Sequence, residues 1–591
     1  MRVSLLVVIG VSSFLASCKE THTSHKKPAM VVAVSAPASL MATLTLRSPR
    51  NTLQRSLAHL RAFTALPLNA ELLLGAAMQQ AALPPALKST IDFNGVLRFF
   101  FLDQAQLDER YPLVAVLPLR SERAFLQALQ SGYLPPKEAK DGLQLFVPKS
   151  GSKAGPMLVW LEEKQVILPT SKRSYQLLAP FLAGRRAWAP ATHDLHLKVH
   201  VAHFSGGKKK ALGHAITLLA TQPKLLQQST IKRFSKQSEA LLRSAETLDI
   251  LADVHKKGLS IALRAQAQKK GTLHQALIKQ RPGELFALNL LPLRPALVVA
   301  SRGPSLLEGE SALKVGVETL TSEMSPTQRA RFEQALKAAR PHFSDGLTFA
   351  LHLEEAKGDH EERWMLTWLA EVKDTVGARQ ALERLTNLTH AWARQQTEKE
   401  SSTSAEKVER EPLEQGSAQG ALLRFGRVDN LRKHAPSRHT FNKSAETLSL
   451  SRGLTAGWVI ADKLAVFALG KNAGPYLLDI VAQSEKKLGR SVPPSLQGLR
   501  RPGRTGAVYL SFLDLTCLLA KSGVSSLRAL AASLQGREPG GAPLLSWGVD
   551  PTRTRLDLNL ELSSEHFRPF KEFTAPLLRS LYQRAPALMR K

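Results

Sequence analysis

Apolar and polar residues alternate in several short runs along this chain, and each run is followed by a stretch with helical spacing. ASLMATLTLRSP (38–49) reads as a half-buried strand, and NTLQRSLAHLRAFTAL after it puts Leu53, Leu57 and Leu60 on one helical face, with Phe63 at its edge. VLRFFFLD (96–103) is strand-like, YPLVAVLPLRSERAFLQALQ (111–130) reads strand then helix, and 156–184 reads strand, tight turn, strand, helix. DLHLKVHVAHF (194–204) is a further strand, 208–222 and 229–254 look helical, 259–268 returns to alternation, and 271–280 looks helical.

The same order then recurs. LRPALVVASRGP (293–304) stands for the first strand. The helix after it opens on Ser325, with Pro326 at its first position and Gln328 completing a capping box. Residues 346–355 and 363–388 repeat the strand and strand–helix elements. Residues 456–483 match 156–184, with Lys463 and Lys164 in the turns and Tyr476 and Tyr175 opening the helices. Residues 506–515 match 194–204, and 554–573 match 259–280.

The expected fold class is therefore α+β: two related modules, at 37–283 and 284–591, each a mostly antiparallel sheet covered by helices on one face. QQTEKESSTSAEKVEREPLEQGSAQG (395–420) is charged and poor in apolar residues, and reads as a disordered insertion in the second module. This strand–helix pattern resembles that of bacterial envelope proteins of unknown function with tandem α+β modules.

The first twenty residues follow another logic. Arg2 is a short positive region, Leu5 to Val11 is an apolar core too short to span a bilayer, and small residues lead to Cys18. Leu15-Ala16-Ser17-Cys18 resembles the lipobox of bacterial lipoproteins. That resemblance implies a signal peptide at 1–17, cleavage between Ser17 and Cys18, and a diacylglyceryl group on the Cys18 thiol, usually joined by an acyl chain on the new amino terminus. Each buried CH₂ contributes ~0.8 kcal/mol, so two or three chains hold a protein durably where one does not. Residues 18–36 would be a tether whose Lys26 and Lys27 reach anionic headgroups, and Lys19, in place of Asp, resembles outer-membrane rather than inner-membrane sorting.

Charge sharpens the choice of partner. The chain has 80 Lys and Arg against 49 Asp and Glu, a net charge of +31, and loss of Arg2 with the signal peptide leaves +30. Such a surplus favours anionic lipid, lipopolysaccharide or acidic polysaccharide. The basic clusters are short and dispersed, aromatic residues are only 6% of the chain, and no nucleic-acid motif is present, which disfavours nucleic acid.

Catalytic and ligand motifs are absent: no phosphate-cradling loop, no dinucleotide fingerprint, no HExxH, no nucleophile elbow. With Cys18 lipidated, Cys517 has no disulfide partner and reads as a small buried apolar residue. His196, Lys198 and His200 share one face of a strand, and His196 and His200 would stand ~13 Å apart, too far to share a zinc ion. Glu354, Glu355, Asp359, Glu361 and Glu362 lack the spacing of a calcium loop and suit a solvated hairpin. The expectation is a non-catalytic, lipid-anchored envelope protein, a scaffold or binding module without cofactor or metal. The alternative is a carrier of a lipid or other amphiphile in an apolar cavity.

Overall fold

The structure is a computed structural model. It describes residues 36–61, 69–80, 85–107, 112–138, 142–150, 155–183, 191–204, 242–255, 258–280, 283–302 except 293, 324–354, 363–400, 408–424, 454–485 except 472, 504–521, 544–550 and 554–563, with a few isolated residues between them. Ser17, Cys18 and the tether up to residue 35 lie outside the described residues, as do the stretches expected to be helical at 208–222 and 229–241, apart from single residues.

The chain is α+β and its strand pairing is antiparallel. It divides into two compact units: Met1–Gln275 with Thr552–Ser564 and Lys571–Lys591, and Ala276–Pro551 with Glu565–Phe570.

In the first unit the strands are β1 (Leu40–Arg47), β2 (Val96–Leu102), β3 (Leu113–Pro118), β4 (Lys137–Glu138), β5 (Gln144–Phe146), β6 (Met157–Glu162), β7 (Gln165–Pro169), β8 (Leu195–Val199), β9 (Ala245–His255) and β10 (Gly258–Ala267). Its helices of seven residues or more are α1 (Pro49–Arg61), α2 (Ala70–Gln80), α3 (Glu122–Gly132), α4 (Lys172–Ala183) and α5 (Thr272–Ile278), the last extending past the unit boundary. The strands lie in the order β4-β5-β6-β7-β3-β2-β1-β8-β9-β10.

The second unit contains β11 (Pro295–Ser301), β12 (Phe343–Glu354), β13 (Arg363–Val372), β14 (Glu409–Gln415), β15 (Ala418–Arg424), β16 (Thr455–Ala461), β17 (Leu464–Gly470), β18 (Arg504–Leu510) and β19 (Leu545–Asp550). Its helices are α6 (Pro326–Ala339), α7 (Thr375–Glu400), α8 (Ala473–Glu485) and α9 (Phe512–Lys521). The strand order is β14-β15-β16-β17-β13-β12-β11-β18-β19, the order of the first unit from β4 to β9 with every number raised by ten. The duplication visible as a loose repeat is thus a repeat of topology. The last strand, β20 (Arg555–Ser563), pairs with β10 over Gly258–Gln266 and belongs to the first unit. The observed division lies at 275/276 rather than 283/284 and returns Thr552–Ser564 and Lys571–Lys591 to the first unit.

Three further differences have clear causes. Residues 245–254, expected to end a helix, form β9 instead: Leu248, Ala252 and Val254 alternate inward, and β9 is bonded to β8 on one side and β10 on the other. The segment 395–420, expected to be disordered, holds the end of α7, β14 and the start of β15. Among the described residues β14 pairs with β15 alone, and such an edge strand has a polar composition because its faces stay wet; Arg424 and Glu411 pair across it at 2.8 Å. Helical cover also extends to the second sheet face. Ala115, Leu117 and Val166 pack with α1, α2 and α3, while their neighbours Val114, Val116 and Ile167 pack with α4. In the second unit Trp458, Ile460 and Ala465 face α7, and Val459, Ala461 and Val466 face α8. Strands covered on both faces read as continuous apolar runs, as LVAVLP does.

Local signals were obeyed. The capping box at Ser325 and Gln328 is formed, with the Gln328 N–H 3.3 Å from Ser325 Oγ and the Ser325 N–H 3.0 Å from Gln328 Oε1. The β6–β7 turn holds Glu163 and Lys164 at φ of 46° and 61°, the geometry of a type I′ hairpin. Tyr175 and Tyr476 are buried in the first turns of α4 and α8.

Candidate functional site

Two surfaces carry organised charge, one in each unit. In the first unit, Leu195 and Leu197 of β8 join the core beneath α1, α2 and α3, which turns His196 and Lys198 to the opposite face. The strand register then builds a row across four strands: Lys198 opposite Asp249, Asp249 opposite Arg264, Arg264 opposite Asp557. Charge alternates along it, the favourable cross-strand arrangement. Beside this row His196 Nε2 lies 2.7 Å from Asp249 Oδ1, and Arg555 donates to Asp557 Oδ2 at 2.9 Å. Lys198, Asp249, Arg264, His196 and Arg555 line an open groove of about 470 Å³, joined by Gln266, Thr247 and Glu246. Glu246 reaches it because the β9–β10 register slips there: Gln266 pairs with Thr247 but Ala267 with Ala245, leaving Glu246 as the extra residue of a bulge.

One end of the groove is braced from within. Buried Asp194 accepts from Arg55 of α1 at 3.3 Å and from the Val254 N–H at 3.1 Å. Burial raises the Asp194 carboxyl above its ordinary value, against the pull of these partners. For Asp253 burial also pushes upward, but the hydrogen bonds from His193 and the Asp194 N–H outweigh it and hold the carboxyl low.

In the second unit the corresponding strand β18 places Ala507 and Tyr509, both fully buried, on the side of α8. The polar groove is therefore a property of the first repeat. The second unit's charge lies on helices instead. α6 and α7 pack together, with Gln328 donating to Gln395 at 2.6 Å. Arg331, Lys337, Arg340, Lys373, Arg384 and Arg394 are exposed on these helices and their ends. The exposed carboxylates over 326–340 and 373–395 are Asp374 and Glu383, and each already has a side-chain partner: the His342 ring at 2.9 Å and Arg410 at 3.7 Å.

The residues singled out in the sequence are dispersed. His196 enters the groove with an aspartate rather than a second histidine, and His200 follows the strand's end and stacks on His203. Glu354 ends β12, while the other four acidic residues of its cluster lie outside the described residues. Cys517 is half-buried on α9, its thiol pushed up by burial and by Asp514. Among the described residues no three His, Cys, Asp or Glu side chains are grouped to hold a metal ion, and no helix is long and apolar enough to cross a membrane. Sequence reasoning missed Asp249, Arg264 and Arg555, whose only signal is that they share a strand parity with their neighbours.

A different polar residue lies in the second core. His352 of β12 is 1% exposed, its ring centroid 5.2 Å from that of Tyr476, whose hydroxyl accepts from Thr367 Oγ1 at 3.1 Å. Neither imidazole nitrogen has a hydrogen-bond partner among the described residues, and burial lowers the pKa to about 3.

No protein-family model matches the chain, and no curated protein matches it. Two solved structures of TP0453, crystal forms IV and III, are similar to it at 9% and 11% identity, covering 39% and 40% of this chain and 80% and 82% of those chains. Both have TM-scores of 0.21, and likenesses that low bear on neither fold nor function.

Proposed function

We propose that this is a non-catalytic envelope lipoprotein, held to the outer membrane through acylated Cys18, whose body binds an anionic envelope component. The observation that supports the reading is the α6–α7 layer, where six lysine and arginine side chains are exposed against two exposed carboxylates over 326–340 and 373–395. A surface of that kind attracts phosphate- or carboxylate-bearing lipid and polysaccharide, and its affinity falls with salt. The carrier alternative calls for an enclosed apolar cavity; the groove of the first unit is open and lined by charged side chains. The test is co-sedimentation of the unlipidated chain with phosphatidylcholine vesicles, with and without phosphatidylglycerol or lipid A, over a salt series. Binding confined to the anionic vesicles, weakened by salt and by Arg384→Glu with Arg394→Glu, is expected. Binding indifferent to lipid charge, or unchanged in the double variant, would refute the assignment.

A further inference from the structure

The groove of the first unit differs in kind from the basic helices. Its cross-strand ladder sets Lys198 and Arg264 against Asp249 and Asp557, and several groups are engaged internally: His196 with Asp249, and Arg264 and Arg555 on the single carboxylate of Asp557. Two charges remain without an ion-pair or hydrogen-bond partner among the described residues, Lys198 and Glu246, and they are of opposite sign. The bulge that delivers Glu246 to the groove is a local departure from regular pairing, and the second unit's core has apolar residues on the corresponding face of β18.

The register sets the spacing of the two charges. Lys198 lies opposite Asp249 on the neighbouring strand, three residues from Glu246. With ~3.3 Å rise per residue and ~4.8 Å between strands, the two Cα atoms are about 11 Å apart. Both side chains can shorten that span toward a ligand between them. With both side chains upright on the sheet the two charges stand about as far apart as their Cα atoms, a span that an extended chain of two or three residues, roughly 7–11 Å, fits. Thr247 and Gln266, beside Glu246, offer donors and acceptors for peptide groups in between.

We propose that this groove binds a short peptide with free termini, its carboxylate on Lys198 and its ammonium on Glu246. The site is independent of the polyanion surface and of the lipid anchor. An ordinary anion engages only half of it, so the ladder's neutrality selects zwitterions over phosphate.

Calorimetric titration of the full unlipidated chain with triglycine tests this, with N-acetyl-triglycine, triglycine amide and inorganic phosphate as comparisons. Triglycine is expected to bind, and blocking either terminus to weaken it tenfold or more. In Lys198→Met the amide should bind as well as the free acid, and in Glu246→Gln the acetylated peptide should bind as well as the free amine. Both side chains lie on a wet sheet face, so the variants keep the fold. Absence of binding at millimolar triglycine, equal binding of phosphate, a preference for the free acid that survives Lys198→Met, or a preference for the free amine that survives Glu246→Gln would each overturn the proposal.

Discussion

His352 makes the second unit acid-sensitive in a way that can be worked through. An imidazole with an ordinary pKa of 6.5 when the chain is unfolded falls to about 3 in the fold, because charging it would strand a cation among apolar side chains. Between those values the unfolded chain takes up a proton that the folded chain refuses. Stability from this residue is therefore complete above pH 6.5 and drains as pH falls, at about 1.4 kcal/mol per pH unit, until pH 3. At pH 5.0 the loss is about 2 kcal/mol, a large part of a typical domain's stability. His352→Phe keeps a ring against Tyr476 and removes two buried nitrogens without partners. The variant should be more stable than the parent by about 1–3 kcal/mol at pH 7.5, since each unmatched buried polar group carries a desolvation penalty. That margin should widen by about 2 kcal/mol at pH 5.0. Urea unfolding followed by tryptophan fluorescence at four pH values gives both numbers, and subtracting parent from variant cancels groups the two share. A margin that stays constant from pH 7.5 to 5.0 would show that His352 is protonated in the fold, and would refute the reasoning.

Three other outcomes are expected. Cys18→Ala should abolish membrane attachment in cell fractionation and end labelling by an acyl-chain probe; labelling that persists would show another anchor. Glu163→Asn with Lys164→Gly should stabilise the first unit by about 1 kcal/mol, because non-glycine residues are strained at positive φ, and a lowered urea midpoint would contradict the type I′ assignment. Leu558→Pro interrupts β20 opposite Leu263 and should cost on the order of 3 kcal/mol while exposing the edge of β10; sedimentation should show self-association, and an unaltered monomer would count against the pairing.

The alternation of LMATLTLR and the helical spacing of LQRSLAHL were legible because each element buries one side only, and the repeat followed from their order. The β9 segment misled because Leu248, Leu251 and Val254 are three apart, a helical interval, while Leu248, Ala252 and Val254 also satisfy a strand. Local spacing cannot choose between them; pairing with β8 and β10 does. The charged stretch 395–420 misled because low hydrophobicity marks an edge strand as well as disorder. The groove was half visible. His196 and Lys198 declared a common face, but Asp249, Arg264 and Arg555 come from three other strands, and only register brings them together. His352 gave no signal, since its burial depends on α8, more than a hundred residues later in the chain.

The returning strand also sets a schedule. β10 ends at Ala267 and its partner β20 begins at Arg555, so the first unit waits for almost the whole second repeat before its sheet is finished. At ~5–20 residues per second of synthesis, that interval is roughly 15–60 seconds, long beside the microseconds in which a hairpin closes. Throughout it, the open flank of β10 is available to any extended segment, including β10 of another nascent chain. Assembly of the first unit is thus governed by the end of translation or export, and a pause or truncation late in the message is felt in a domain encoded near its start.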